Sequence, residues 1–293
     1  MVAYILYPVF FIFGLIMGSF LNVLAWRYEP SRNVFARETI DGRSHCPYCG
    51  KTLGFGELVP IFSFLFQGGK CRSCRHLLSF QYPIVEFLSG LIFVAVPFFL
   101  FNFYRSQSDW IYVLSLIWAL AFLIWLLMVV IDIKHYVVPD ELNIGLAILG
   151  AVFILVLLIS NVSSPLFKDS FLKHYILLFS FTRNIILNHL VGALIGGLFF
   201  GIFTLFTRGR AMGLGDVKLA AASGLLLGWP DIGLTIVLAF IIGGVFTAGL
   251  MIVRRKKIGD KIPFAPFFVL GAALTVFFGY QIVNLYFRLF QIS

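Results

Sequence analysis

Charge is what this sequence has least of. Asp, Glu, Lys and Arg make up 12% of its 293 residues, and only 13 residues are acidic. With 60% hydrophobic residues beside so few charges, a soluble globular domain is excluded. Cysteine is scarce too: the four present all fall within residues 46–74, which rules out a disulfide scaffold for the chain as a whole. The polar segment that holds them has no glycine fingerprint after a strand and is too short for a doubly wound nucleotide domain. The run Met1 to Leu21 lacks a basic leading region and a small-residue cleavage site, so it reads as a retained first span with Arg27 just after it.

What is present is a series of apolar runs near twenty residues long, with a mean hydropathy of +0.99. These predict an all-α polytopic membrane protein with about eight transmembrane helices, near 4–26, 84–103, 110–132, 141–160, 188–207, 214–228, 231–253 and 265–287. The net charge of +9 does not indicate a nucleic-acid partner, because the basic residues sit at span ends and in loops. The substantial polar segment, roughly 28–82, carries Arg32, Arg37, Arg43, Lys51, Lys70, Arg72 and Arg75 against Glu29, Glu38, Asp41 and Glu57. That excess places it in the cytoplasm and the N-terminus outside. Counting onward puts Lys134, His135, Arg208, Arg210, Lys218 and Arg254 to Lys257 inside, and Arg105–Asp109 and Trp229–Asp231 outside. Residues 161–187, nominally outside, carry Lys168, Lys173 and Arg183, and their Phe/Leu-rich pattern predicts an interfacial amphipathic helix.

Two aspartates stand where spans meet polar sequence. Asp216 lies in Met212-Gly-Leu-Gly-Asp-Val-Lys218, at the start of the sixth span; Asp132 closes the third. An ionised group near hydrocarbon is costly and by default marks function. Both fall at the cytoplasmic edge in this topology. Two close carboxylates share one proton, so one can activate water while the other protonates a leaving amine. Gly213 and Gly215 allow a peptide backbone to approach. The plainer alternatives are that Asp216 caps a helix and that Asp132 pairs with Lys134 or Lys218. Asp140 competes for the partner role, but after Pro139 it reads mostly as a helix start that shapes the site.

Cys46-Pro-Tyr-Cys49 and Cys71-Arg-Ser-Cys74 are separated by 21 residues. Four thiolates at this spacing predict a structural Zn²⁺ site, with a redox pair or disulfide as alternatives. His45 and His76 adjoin the knuckles, but four thiolates already close a tetrahedral site. Ser19 and Asn22 in the first span read as helix-packing residues. Ile262 to Phe267, with Pro263 and Pro266, reads as a rigid helix entry or a groove wall. Asn161-Val-Ser163 matches a glycosylation acceptor pattern, a weak signal.

Taken together, these residues resemble the type IV prepilin peptidase family. The resemblance runs over nearly the whole chain: Gly18-Ser-Phe-Leu-Asn-Val23, both knuckles, Leu58-Val-Pro-Ile-Phe-Ser63, Gly68-Gly-Lys-Cys71, Tyr82-Pro-Ile-Val-Glu86, Ile131-Asp132, Val138-Pro-Asp-Glu-Leu142, the Gly213 to Lys218 stretch and Ile262-Pro-Phe-Ala-Pro-Phe267. It implies a bacterial inner-membrane aspartic peptidase that removes the leader of type IV prepilins and type II secretion pseudopilins. It also implies N-methylation of the new N-terminus with S-adenosylmethionine, and contact with pilus or secretion assembly machinery. The family's catalytic aspartates fall on Asp132 and Asp216. The residues linked to methyl transfer fall on Gly69 and Lys70, with Glu86 the neighbouring acidic candidate. Departures are mild: Val138 stands for the usual Leu, Asn143 for a common Thr and Ala265 for a frequent Gly, and the 161–187 insertion is atypical. The implied organisation is a first span (1–27), a zinc-ribbon-like cytoplasmic domain (28–82) and a membrane peptidase domain (83–293). Two other readings remain: a membrane peptidase of this type without methyl transfer, and a cation-coupled transporter, which would want a midplane carboxylate and an internal repeat.

Overall fold

The computed structural model describes residues 2–30, 32–104, 109–160, 170–179, 182–209, 212–253 and 261–290. Arg105, Asn161 to Ser163, Lys168, Arg210 and Arg254 to Lys257, named above for topology or glycosylation, lie outside the described residues. The helices in chain order are α1 (Val2–Arg27), α2 (Arg37–Ile40), α3 (Phe55–Leu58), α4 (Phe62–Phe66), α5 (Gln81–Tyr104), α6 (Trp110–His135) and α7 (Asp140–Ser160). They continue with α8 (Ile176–Phe179), α9 (Ile185–Phe206), α10 (Leu214–Leu227), α11 (Asp231–Ile252) and α12 (Ala265–Leu289). Among the described residues there is no strand, only isolated bridges at His45–Thr52 and Lys70–Leu77.

Seven of these helices (α1, α5, α6, α7, α9, α11 and α12) are long and apolar enough to cross a membrane. The protein is therefore a multi-pass helical membrane protein, and the apolar run expected near 214–228 forms a shorter helix than the rest. Helix α10 has 14 residues, so it is about 21 Å long against about 30 Å of hydrocarbon. It is stopped at one end by Gly213 and at the other by Gly228, whose φ of +76° ends the helix before Trp229-Pro230. A helix this short must have its ends solvated by protein rather than lipid. Its buried face, from Leu219 to Leu227, meets that need by packing between α7 and α9.

Helix α6 is the axis of the bundle, buried along most of its length, with α5, α7 and α12 around it. Its Trp118 and Trp125 are almost wholly enclosed, and Trp125 Nε1 donates to Ser223 Oγ on α10 at 3.1 Å. Lipid is as apolar as a leucine side chain, so helix association here depends on close packing. Helices α9 and α10 meet where a Cβ on Gly192 would stand 2.6 Å from the Gly224 carbonyl oxygen. Replacing Gly192 by Leu is expected to force these backbones apart and cost roughly 1–3 kcal/mol or more. The check is the thermal unfolding midpoint of purified protein in detergent, which should fall by several degrees.

Residues 170–179 do not form the expected amphipathic helix. They make one 3₁₀ turn, Lys173–Tyr175, followed by the single turn α8. Phe171 and Leu172 are buried, with the Phe171 ring 5.1 Å from Trp118 and 5.2 Å from Phe103. The Phe171 N–H donates to Asp231 Oδ1 at 3.0 Å, and Trp229 Nε1 donates to the Phe179 carbonyl at 2.6 Å. Burial of Phe171 into the aromatic cluster, not a lipid-facing stripe, holds this segment at one end of the bundle.

Candidate active site and cysteine cluster

The opposite end gathers the carboxylates. Helix α6 closes with Tyr136 in the left-handed conformation (φ 57°), and the Tyr136 N–H returns to the Asp132 carbonyl at 2.8 Å. Asp132 therefore occupies the last turn, and it is only 5% exposed. Its Oδ2 accepts from the Ala265 N–H at 2.9 Å, and the Phe264 N–H also donates to this carboxylate. The sequence marked Ile262 to Phe267 as a helix entry. What it missed is that Pro263 and Pro266 have no N–H, leaving Phe264 and Ala265 as donors at the start of α12. Ala265 in place of Gly changes nothing here, because the donor is backbone.

Asp216 sits in the first turn of α10, where its Oδ2 accepts from the Gly213 N–H at 3.2 Å. The cap role anticipated for it is thus real, and it coexists with a second fact: the charge of Asp132 acts directly on Asp216. Residues 84 positions apart are thus close enough for one charge to act on the other, and among the described residues neither aspartate forms an ion pair. Lys218 does not serve Asp132; its Nζ lies 2.8 and 2.7 Å from the two carboxylate oxygens of Asp140. Lys134 Nζ instead donates to the Trp26 carbonyl at 3.1 Å and stands 4.5 Å from the Trp26 ring. Gly215 packs against Val138, where a Cβ would come within 3.2 Å of the Val138 Cβ; this links α10 to the turn before α7. No comparable close contact surrounds Gly213, whose N–H is its contribution.

The Asp140–Lys218 pair is half exposed, with side chains 59% and 50% accessible. A pair so wet is worth about 0–1 kcal/mol, so its place is to hold α7 and α10 in register. Lys218→Met is expected to leave the unfolding midpoint within about a degree or two and to lower leader cleavage by less than tenfold, read in a peptide-release assay.

The two knuckles are built alike. Cys46 N–H donates to Lys51 O and Gly50 N–H to Cys46 O, both at 2.9 Å; Cys71 N–H donates to His76 O and Arg75 N–H to Cys71 O, both at 3.0 Å. The residue after each second cysteine is left-handed, Gly50 at φ 69° and Arg75 at φ 59°. The four Sγ atoms lie within 4.8 Å of one another, Cys46 to Cys74 at 3.9 Å. Zinc–sulfur bonds of about 2.3 Å in a tetrahedron require sulfurs about 3.8 Å apart, so these residues fit Zn²⁺. The separation is far from the roughly 2 Å of a disulfide, and all four cysteines are free. N–H groups of Cys74 and Ser73 donate to the Cys71 sulfur and hold its pKa down to about 6. At Cys74 a bond from the His76 N–H is outweighed by burial and the neighbouring thiols, and its pKa is pushed up to about 11. A dication would replace that last proton. His45 and His76 stay outside the cluster; the His76 ring lies against Tyr48.

Of the residues linked to methyl transfer, Lys70 is exposed and bridged through its backbone to Leu77. Gly69, at φ 68°, turns the chain beneath Phe64, whose ring a Cβ would meet at 3.2 Å. Glu86 is 7% exposed and its Oε2 accepts from the Ile61 N–H at 2.7 Å. Arg27 does more than the sequence suggested: it donates to the carbonyls of Thr39, Ile40, Asp41, Gly42 and Arg43 at 2.6–3.3 Å, tying residues 39–43 to the end of α1. Its place after the first span made it look like a topology charge.

Comparison with known proteins identifies the family of the chain. Residues 12–100, which contain the knuckles and Glu86, match the bacterial peptidase A24 N-terminal domain, and residues 118–248, which contain both aspartates, match the type IV leader peptidase family. The chain is 32% identical over 282 residues to a prepilin leader peptidase/N-methyltransferase of Bacillus subtilis, covering 96% of this chain and 98% of that one. It is 30% identical to the Pseudomonas aeruginosa protein of the same name, over 93% of this chain and 90% of that one. It is 28% identical to the one from Aeromonas salmonicida, over 94% and 92%. No solved structure matches. Alignment over nearly the full length of these relatives, with the aspartates and cysteines each inside a matched domain, establishes that the chain belongs to the type IV leader peptidase family.

Proposed function

We propose that this protein removes the leader from prepilins and pseudopilins at the cytoplasmic face of a bacterial inner membrane, with Asp132 and Asp216 as the catalytic pair, and then N-methylates the new N-terminus. What supports the reading is that the carboxylates of α6 and α10 are near enough for the charge of Asp132 to act on Asp216, each is held by backbone N–H donors, and Lys134 and Lys218 are engaged elsewhere. Such a pair keeps one proton between them. One carboxylate takes a proton from water as its oxygen attacks the scissile carbonyl. The carboxyl proton of the other passes to the nitrogen as the C–N bond breaks. Gly213, Gly215 and the Asp140–Lys218 pair shape the groove around that step.

The methyl-transfer half rests on the relatives, whose name includes N-methyltransferase. S-adenosylmethionine would supply the methyl group, and residues 28–82 with Glu86 would form the region that uses it. Zn²⁺ held by Cys46, Cys49, Cys71 and Cys74 would supply structure rather than reaction chemistry, since four thiolates leave no open position. Residues 83–293 would be the peptidase domain. Both carboxylates lie at helix ends, which argues against the transporter reading and its midplane ion site.

The test is a paired assay on purified protein: leader release from a prepilin, and methyl incorporation from labelled S-adenosylmethionine into the product. Cleavage without methylation would select the peptidase-only alternative; neither activity would overturn the proposal.

A further inference from the structure

Three sequence stretches that the peptidase chemistry leaves unused meet at one cleft: Gly18 to Val23 on α1, Leu58 to Ser63 beside α4, and Tyr82 to Glu86 on α5. Helix α1 passes α5 so closely that a Cβ on Gly18 would lie 2.6 Å from the Glu86 Cα. That approach carries Ser19 to the acid and Asn22 to the backbone of Tyr82, one turn before it. Ser19 hydrogen-bonds the Glu86 carboxylate. Asn22, 2% exposed, donates from Nδ2 to the Tyr82 carbonyl at 3.1 Å, while its buried Oδ1 accepts nothing. Helix packing, the role expected for Ser19 and Asn22, thus accounts for only part of what Asn22 does.

Glu86 also braces a strained turn. Ile61 has φ 62° and ψ −52°, with the Phe62 N–H returning to the Pro60 carbonyl at 2.6 Å. A β-branched residue at positive φ costs on the order of 1–3 kcal/mol and persists where neighbours hold it, characteristically at functional sites. The Ile61 N–H donates to Glu86 Oε2, which holds this turn against α5. Among the described residues no lysine or arginine is within ion-pair distance of Glu86. A buried carboxylate and a buried amide oxygen with no partner belong to residues lining one cleft with Val23, Trp26, Phe64 and Leu78, a lining that suits a cation on an apolar stem.

We propose that this cleft holds the freed N-terminal amine of the processed pilin, with Glu86 as its base and Asn22 Oδ1 as its second acceptor. The assignment deepens, and rests on, the methyl-transfer reading. The N-terminal side chain lies along the apolar walls. The arriving ammonium gives one proton to the Glu86 carboxylate. The nitrogen lone pair then forms the bond to the methyl carbon of a sulfonium donor as the carbon–sulfur bond breaks, its electron pair staying on sulfur. A secondary ammonium and a neutral thioether result. The cleft adjoins the peptidase end of the bundle, since Trp26 on its wall is held by Lys134, two residues beyond Asp132.

The test uses the full chain in detergent with a pre-cleaved peptide that begins with Phe, and mass spectrometry of the methylated product. Glu86→Gln keeps an acceptor for the Ile61 N–H while removing the base. Its methylation rate is expected to fall roughly a hundredfold or more, with leader cleavage by the same preparation serving as the fold control. Asn22→Ala is expected to raise KM for the peptide about tenfold with a smaller change in kcat. On the wild type, a short free-amine peptide should compete with the processed pilin, and its N-acetylated form should not. Methylation by Glu86→Gln within threefold of wild type, equal competition by the two peptides, or loss of cleavage together with methylation in Glu86→Gln would each overturn the assignment. A wild-type protein that methylates nothing would instead sink the reading on which it rests.

Discussion

Asn in place of either Asp132 or Asp216 is expected to lower leader cleavage roughly a thousandfold or more, the scale of losing a positioned acid–base group. The substitution is nearly isosteric, and Asn retains the oxygen that accepts from Ala265 N–H at position 132 or Gly213 N–H at position 216. The fold should therefore survive. At position 132 the change also removes a charge from a site only 5% exposed and repelled by Asp216, so the unfolding midpoint should match or exceed that of the wild type. Methylation of a pre-cleaved peptide should persist in both variants, because the cleft at Glu86 is formed by α1, α5 and the cysteine segment. A stable Asp132→Asn or Asp216→Asn protein that still releases leader at the wild-type rate would remove the pair from the mechanism.

Metal removal should produce the second large effect, confined to the other activity. A segment of about 55 residues with two short knuckles and three helices of four or five residues has little core of its own. Structural zinc in such small sites supplies on the order of 10–16 kcal/mol of apparent binding free energy, far more than any contact within the segment. The paired variant Cys46→Ser, Cys71→Ser is expected to take metal content from about one zinc per chain to near zero, read by elemental analysis. The Ile61–Glu86 contact depends on the segment's position, so methyl transfer should be lost with the metal. Leader cleavage should fall by less than tenfold, because Asp132 and Asp216 are carried by α6 and α10, packed with α7, α9 and α12. Wild-type protein free of metal yet fully able to methylate would refute the zinc assignment.

Much of this molecule is legible without coordinates. Apolar run length dictates the helices to within a few residues, because a bilayer admits few other forms of chain. Cysteine spacing is enough to expect a four-sulfur cluster, since two such turns bring four thiols to one point. The two candidate aspartates stand out by the cost of placing charge at the end of a hydrocarbon-length run.

Other things depend on contacts between residues far apart in the chain. That Lys218 serves Asp140, and Lys134 the Trp26 carbonyl, is a matter of which helices are neighbours; from sequence either lysine was as good a partner for Asp132. The donors that orient Asp132 are backbone groups of residues 264 and 265, more than a hundred positions away, and a backbone N–H carries no side-chain signature. The run near 214–228 is apolar throughout, but only the assembled structure shows that it is a 14-residue helix held between α7 and α9. Asn22, Ile61 and Glu86 belong to three separate motifs, and their meeting at one cleft is decided by the glycine-close passage of α1 across α5. Local physics prescribes the helices and the knuckles one by one. Which polar groups face one another is a property of the assembled bundle, because short-range forces act only between the atoms that packing has brought together.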